Sequence, residues 1–151
     1  MDMKKLRNLF VFTCLLGASA LIVSCDNEKT ISANELPSSA QEFINAHFST
    51  AQIANVQKEN EGLGGEEFKV HLNDGTEIKF DKSGEWKEVD APGNASIPSQ
   101  FIPQNILSHI AENYTNASVV SVSKDSKRYE IELANGMDLK YDLAGNFEKV
   151  D

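Results

Sequence analysis

Apolar and polar residues alternate with period two in two long stretches, "EFKVHLNDGTEIKFDKSGEWKEVD" (67–90) and "RYEIELANGMDLKYDLAGNFEKVD" (128–151). That alternation predicts half-buried antiparallel strands with Phe68, Val70, Leu72, Ile78 and Phe80 on one face. Asp74-Gly75 and Asn135-Gly136 interrupt each stretch at the point where a two-residue hairpin turn needs positive φ. Asp81-x-x-Gly84 and Asp142-x-x-Gly145 predict the next turn, and "EWKEV" and "NFEKV" a closing strand. Upstream, Ile53–Lys58 and Val119–Lys124 read as a first strand. Before these strands the period changes to that of a helix. Ala40, Phe43, Ile44, Ala46 and Phe48 form one apolar stripe, and Ile102, Ile106, Leu107, Ile110 and Ala111 another. Pro37 and Pro98 stand where a helix opens, a position that tolerates the missing N–H, while Pro103 splits the second helix or starts another.

The pattern therefore runs helix then four strands, twice. The two stretches align without a gap at a spacing of 61, which pairs Phe68 with Tyr129, Phe80 with Tyr141, Gly84 with Gly145, Trp86 with Phe147 and Val89 with Val150. "HFSTAQIANVQKE" aligns with "NYTNASVVSVSKD" at a spacing of 66. This is the mark of an internal duplication. The expected fold is α+β, in two tandem repeats, each a helix or helix pair packed on a four-stranded antiparallel sheet. A unit of about 55 residues buries little core alone, so the two are expected to join into one extended sheet with the helices on one face. The other face is then polar and open to water.

The N-terminal residues add a compartment. Lys4, Lys5 and Arg7 precede an apolar run from Leu9 to Val23 that is short for a membrane span and reads as a secretory signal. The run ends in Ile22-Val23-Ser24-Cys25, which resembles the bacterial lipobox, in which the cysteine is lipidated and becomes the new N-terminus. The expected organisation is a signal peptide over 1–24, a lipidated tether over 25–35, repeat one over 36–90, a linker over 91–96 and repeat two over 97–151. The chain is then lipid-anchored in a bacterial cell envelope, on the periplasmic side or the outer surface. Cys14 leaves with the signal and Cys25 carries the lipid, so no disulfide holds the domain and its core must do so. Without residues 1–24 the chain has 11 basic and 22 acidic residues, a net charge of −11. A surface so acidic repels phosphates, which argues against nucleic acid as a partner and against membrane contact beyond the anchor.

A tandem helix-then-four-strand duplication behind a lipobox, with "LP" at Leu36-Pro37 and "F.V.L.DG..I.F...G.W" in the strands, each copy ending in Asp-x-x-Gly-x-aromatic, resembles the PepSY-like, beta-lactamase-inhibitor-like periplasmic proteins. The resemblance covers about residues 35–151. It implies a concave sheet that grips another protein and, in some relatives, blocks its active site. The secreted inhibitor it resembles uses disulfides that this chain lacks.

The side chains that carry chemistry do not converge in the sequence. His47, His71 and His109 share no ligand spacing, so no metal is expected. Asp81-Lys-Ser-Gly-Glu resembles a calcium loop in outline but lacks acids at its first, third and fifth positions together, and Asp142-Leu-Ala-Gly-Asn has fewer. There is no Gly-x-Ser-x-Gly and no cysteine–histidine pair once Cys25 is lipidated, so no catalytic residue and no cofactor is expected, and the chain is not read as an enzyme. What remains is surface. The candidate binding face holds Lys69, His71, Glu77 and Lys79 in a mildly basic half and Glu130, Glu132, Asp138 and Lys140 in an acidic half. The candidate binding loop is Gly62, Leu63, Gly64 and Gly65, an exposed leucine between flexible glycines. The function read from these features is a non-catalytic module that binds an envelope protein or peptide, with inhibition as the form the resemblance implies. The second reading is a structural or sensory accessory of a larger envelope complex.

Overall fold

The computed structural model describes residues 28–60 and 65–151. The expected signal peptide, Cys25, and Gly62, Leu63 and Gly64 of the expected loop lie outside these residues. The fold is α+β: one open antiparallel sheet of nine strands in chain order, with two α-helices. The strands are β1 (Lys29–Ile31), β2 (Ile53–Asn60), β3 (Glu66–Leu72), β4 (Glu77–Asp81), β5 (Trp86–Asp90), β6 (Val119–Lys124), β7 (Arg128–Leu133), β8 (Asp138–Asp142) and β9 (Phe147–Val150). Helix α1 is Ser38–His47 and α2 is Gln104–Asn113.

Two expectations are corrected. The segment read as a tether over 25–35 belongs to the fold from Lys29 onward. There β1 adds a ninth strand to the expected eight, with Ile31 opposite Val56. A 3-10 turn follows at Ala33–Glu35, its start closed by the Glu35 carboxylate accepting from Ser32 N–H at 2.8 Å. The second helix starts after Pro103, not at Pro98, and it is a single helix. Both helices thus begin immediately after a proline, and Pro37 and Pro103 lie 66 residues apart. The five extra residues stand before the helix, where Ile97 and Ile102 are buried and Phe101 packs on Trp86 at 5.2 Å.

The alternation places one phase of every central strand under the helices. Val70, Ile78, Phe80, Val89, Val122, Leu133, Leu139 and Tyr141 are fully buried, in one cluster with Ala40, Ile44, Ile106 and Ile110 of the helices. The two halves pack alike. Phe43 meets Phe80 edge-on at 5.7 Å and 82°, while His109, 66 residues on, meets Tyr141 at 5.6 Å and 82°. A single ladder joins them: Glu88 opposes Ser123, Val89 opposes Val122 and Asp90 opposes Ser121. Lys124 reaches back across this joint, 4.4 Å above the Trp86 ring and 2.6 Å from Glu85.

Tyr141 replaces the Phe80 of the first half, so its hydroxyl needs a partner in the core, and it is hydrogen-bonded to His109 Nδ1 at 2.9 Å. Burial, with a smaller contribution from Tyr114, pushes the phenol up from about 10 to about 12. A folded-state pKa raised above the unfolded one means stability that is complete below pH 10 and lost as pH climbs toward 12. Tyrosinate absorbance is expected to show a step near pH 12 that Tyr141→Phe removes. That variant should lose only about 1 kcal/mol at neutral pH and unfold less steeply in alkali.

Candidate functional site

The repeated Asp-x-x-Gly turns are anchors for the helices. Asp81 Oδ1 accepts from Ser83 N–H, Ser83 Oγ and Glu85 N–H at 2.6–3.0 Å. Asp142 accepts from Asn146 N–H at 2.8 Å and Asn146 Nδ2 at 2.9 Å. Burial works to raise the Asp81 pKa, but the hydrogen bonds from Ser83 and Glu85 outweigh it and hold the carboxyl below its usual range. For Asp142 the Asn146 side chain and backbone lower it. Each turn then receives a helix. Ser39 Oγ donates to the Ser83 carbonyl at 2.6 Å, and Asn105 Nδ2 to the Ala144 carbonyl at 2.7 Å. These carboxylates are spent on structure.

The opposite phase of the strands builds a polar face away from the helices. The pairing registers sort its side chains into two rows that cross the sheet. One row runs Gln57, Lys69, Lys79, Glu88, Ser123, Glu130, Lys140, Lys149. The other runs Asn55, His71, Glu77, Asp90, Ser121, Glu132, Asp138. All eight residues expected on the face lie in these rows.

Their charges are not divided between the halves as expected, because partners that the sequence alone did not align stand next to the lysines. Lys79 binds Glu88 at 2.7 Å and Lys69 approaches Glu59 at 4.0 Å. Lys140 lies 3.3 Å from Glu130 and also binds Asp151, which Lys149 binds too. The hydrogen bond that Lys79 donates to Glu88 keeps the lysine protonated above its usual range, and those that Lys140 and Lys149 donate hold Asp151 down to about 2. With Glu59 and Asp151 beside it, the first row is thus neutralised. In the second row His71 touches Gln57 at 2.9 Å and Glu77 at 3.3 Å, while Asp90, Glu132 and Asp138 make no ion pair among the described residues. The division runs along the sheet: one row balanced, one row acidic.

At the joint the floor drops. Ser121 and Ser123 occupy the positions that Asn55 and Gln57 hold in the first half, so short side chains lie between Glu88 and Asp90 on one side and Glu130 and Glu132 on the other. Two depressions meet there at Ser123 and Glu130. One, of about 210 Å³, is lined by Ser121, Glu132, Asp138, Lys140 and Asp151 among others. The other, of about 270 Å³, takes in Lys79, Glu88, Lys124 and Arg128. A third, of about 280 Å³, lies at the far edge between Lys29, Glu35, Lys58 and Phe68. Ser121, Ser123, Glu88, Asp90 and Asp151 were missed by the sequence reading. The signal was present in the alternation of "VVSVSK", but using it required knowing which strand lies beside β6.

The remaining candidates separate. Gly65, at φ +94°, leads into β3. His47 stacks among Phe43 and Phe101 at 4.7 and 5.2 Å, His71 lies on the polar face, and His109 serves Tyr141. Among the described residues no three His, Cys, Asp or Glu side chains are grouped to hold a metal ion.

Residues 66–149 match the family described as "Putative beta-lactamase-inhibitor-like, PepSY-like". Among solved structures, a putative calcium-regulated periplasmic protein of Bacteroides thetaiotaomicron is 35% identical with a TM-score of 0.78, over 82% of this chain and 96% of that one. A putative periplasmic protein of the DUF2874 family from Bacteroides vulgatus is 31% identical with a TM-score of 0.78, over 84% and 98%. A second Bacteroides vulgatus periplasmic protein, of unknown function, is 35% identical with a TM-score of 0.78, over 82% and 98%. No curated protein matches the chain.

Proposed function

We propose that this chain, which belongs to the PepSY-like, beta-lactamase-inhibitor-like family, is a duplicated, non-catalytic module that binds a protein or peptide of the bacterial envelope. The observation that carries the reading is the polar face at the joint. There the Ser121–Ser123 floor lies between carboxylates from both halves of the sheet. Duplication is supported by the matched registers, helix anchors and aromatic pairs, each displaced by 61 or 66 residues. The periplasmic relatives support an extracytoplasmic place, and the lipobox-like Ile22–Cys25 supports anchoring by lipid on Cys25.

The acidic row selects the partner. Among the described residues Asp90, Glu132 and Asp138 have no cation of their own, so a partner presenting lysine or arginine along an extended segment gains attraction without first breaking an ion pair. Shallow depressions of about 210 and 270 Å³ suit a side chain or two rather than a whole small-molecule ligand. Calcium, in the description of the Bacteroides thetaiotaomicron relative, finds no grouped acidic ligands among the described residues here: Asp81 Oδ1 and both Asp142 oxygens accept hydrogen bonds within their own turns, and no three His, Cys, Asp or Glu side chains are gathered.

The test is crosslinking capture from envelopes, followed by affinity measurement with the captured protein. Glu132→Lys with Asp138→Lys is expected to weaken binding at least about tenfold, while Lys69→Glu with Lys79→Glu, on the balanced row, changes it less. Equal binding by the parent and the acidic-row variant would remove the basis for this reading.

A further inference from the structure

With Cys25 lipidated, the reading on which this rests, we infer that the anchor holds the β1 corner of the sheet close to the headgroup layer of its own membrane. The polar face at the joint then reaches only partners on that membrane. The fold begins earlier than the expected tether over 25–35 allows. Lys29, Thr30 and Ile31 pair with Lys58, Gln57 and Val56. Ile31 packs against the core, the 3-10 turn follows at Ala33–Glu35, and Leu36 is buried. Only Asp26, Asn27 and Glu28 stand between Cys25 and Lys29. At about 3.5 Å per residue, the Lys29 Cα stays within about 14 Å of the lipidated cysteine. A tether free to residue 35 would have reached about 35 Å, enough for the domain to stand clear of the surface.

The sheet sets which parts lie near the membrane and which lie far. β1 is an edge strand, and the others follow in chain order. At about 4.8 Å per strand, the joint between β5 and β6 lies about 20–24 Å from β1, and β9 about 38 Å. The joint therefore stays within about 40 Å of the surface. Charge favours the same orientation. The corner at the anchor mixes Lys29 and Lys58 with Glu28, Glu35 and Glu66, and Lys58 pairs with Glu66 at 2.9 Å. Asp90, Glu132 and Asp138, which make no ion pair among the described residues, lie at the joint and beyond it. Anionic headgroups repel that row more than the mixed corner, which turns the far side of the sheet away from the bilayer. The partner that fits is a protein of the same membrane whose basic segment lies within that distance.

The test uses the lipidated chain in vesicles of phosphatidylcholine and phosphatidylglycerol that carry an acceptor dye on the headgroup. Loss of the signal and lipidation leave no free thiol, so Thr30→Cys and Lys149→Cys each give one labelling position, on β1 and on β9. The rate of energy transfer to the headgroups is expected to be at least about fivefold higher from position 30 than from position 149. Inserting about twelve Gly and Ser residues after Asn27 should lower the rate from position 30 severalfold. Equal transfer from the two positions, in a chain whose mass includes the lipid, overturns this inference and leaves the anchoring itself standing. A mass without lipid on Cys25 overturns both. Unchanged transfer after the insertion overturns the short tether as the cause.

Discussion

Gly84→Ala is expected to lower the folding free energy by about 2–4 kcal/mol, the largest loss from an alanine at any of the described glycines. Gly84 sits at φ +81°, where a side chain is strained, and this alone costs about 1 kcal/mol or slightly more. The larger part is contact. A Cβ here would lie 2.7 Å from Pro37 Cβ and 2.9 Å from the Ala40 backbone nitrogen, neither of which can rotate away, and 2.2 Å from Ser39 Oγ. Relief requires α1 to lift from the turn, which breaks the Ser39–Ser83 hydrogen bond and loosens Ala40 and Ile44 from the core. Gly145 has a similar φ, +79°, but the three atoms nearest to its added Cβ all belong to the Asn105 side chain. That group can swing aside, so Gly145→Ala is expected to cost about 1–2 kcal/mol. Gly136, at φ +80° with open space around it, should cost about 1 kcal/mol. Urea midpoints of the three variants check the order. Equal losses would mean that the turns do not hold the helices.

Val122→Asp is expected to abolish folding of the whole chain. Val122 is fully buried and faces Val89, also fully buried, across the joint between β5 and β6. A carboxylate there enters a cluster of apolar side chains, while Lys124 on the same face is already held by Glu85 and the Trp86 ring, and burying it unpaired costs more than about 4 kcal/mol, most of what a small domain has. Val122→Ala, which leaves a cavity but no charge, should cost about 1–3 kcal/mol and keep the fold. Because each half presents its joint-side apolar residues to the other, the aspartate should unfold the first half as well as the second. Far-ultraviolet circular dichroism of the aspartate variant should therefore show no residual half-domain.

Much of this was legible in the sequence, for a physical reason. Strand alternation, the Asp-Gly and Asn-Gly turns and the apolar helix stripes are local signals, and they placed Phe68 to Val89 and Tyr129 to Leu139 in the core. What escaped is what neighbours decide. Lys29–Ile31 has no alternation of its own and becomes a strand only because β2 offers an unpaired edge. Pro98 and Pro103 look alike as helix openers, and the choice falls to Phe101, which must reach Trp86. The rows of the polar face depend on register across the joint, which no single strand encodes. Thus Lys69 and Lys79 looked like a basic patch until Glu59 and Glu88 were set beside them. The Asp-x-x-Gly repeat was legible as a turn, but that each turn also fixes a helix to the sheet, through Ser39 and Asn105, was not.

The proposed binding surface is lined from both halves, by Glu88 and Asp90 on one side and Glu130 and Glu132 on the other, so it exists only if the nine strands act as one sheet. The most direct measurement is a urea titration of the unmodified chain followed by two probes. Fluorescence of Trp86, the sole tryptophan, reports the first half at its joint, and hydrogen exchange at the Ile131 and Leu139 amides reports the second. One shared midpoint with one slope is the predicted result, as for a single cooperative unit. Two separated midpoints would show halves that fold independently and would contradict a working face built across their joint.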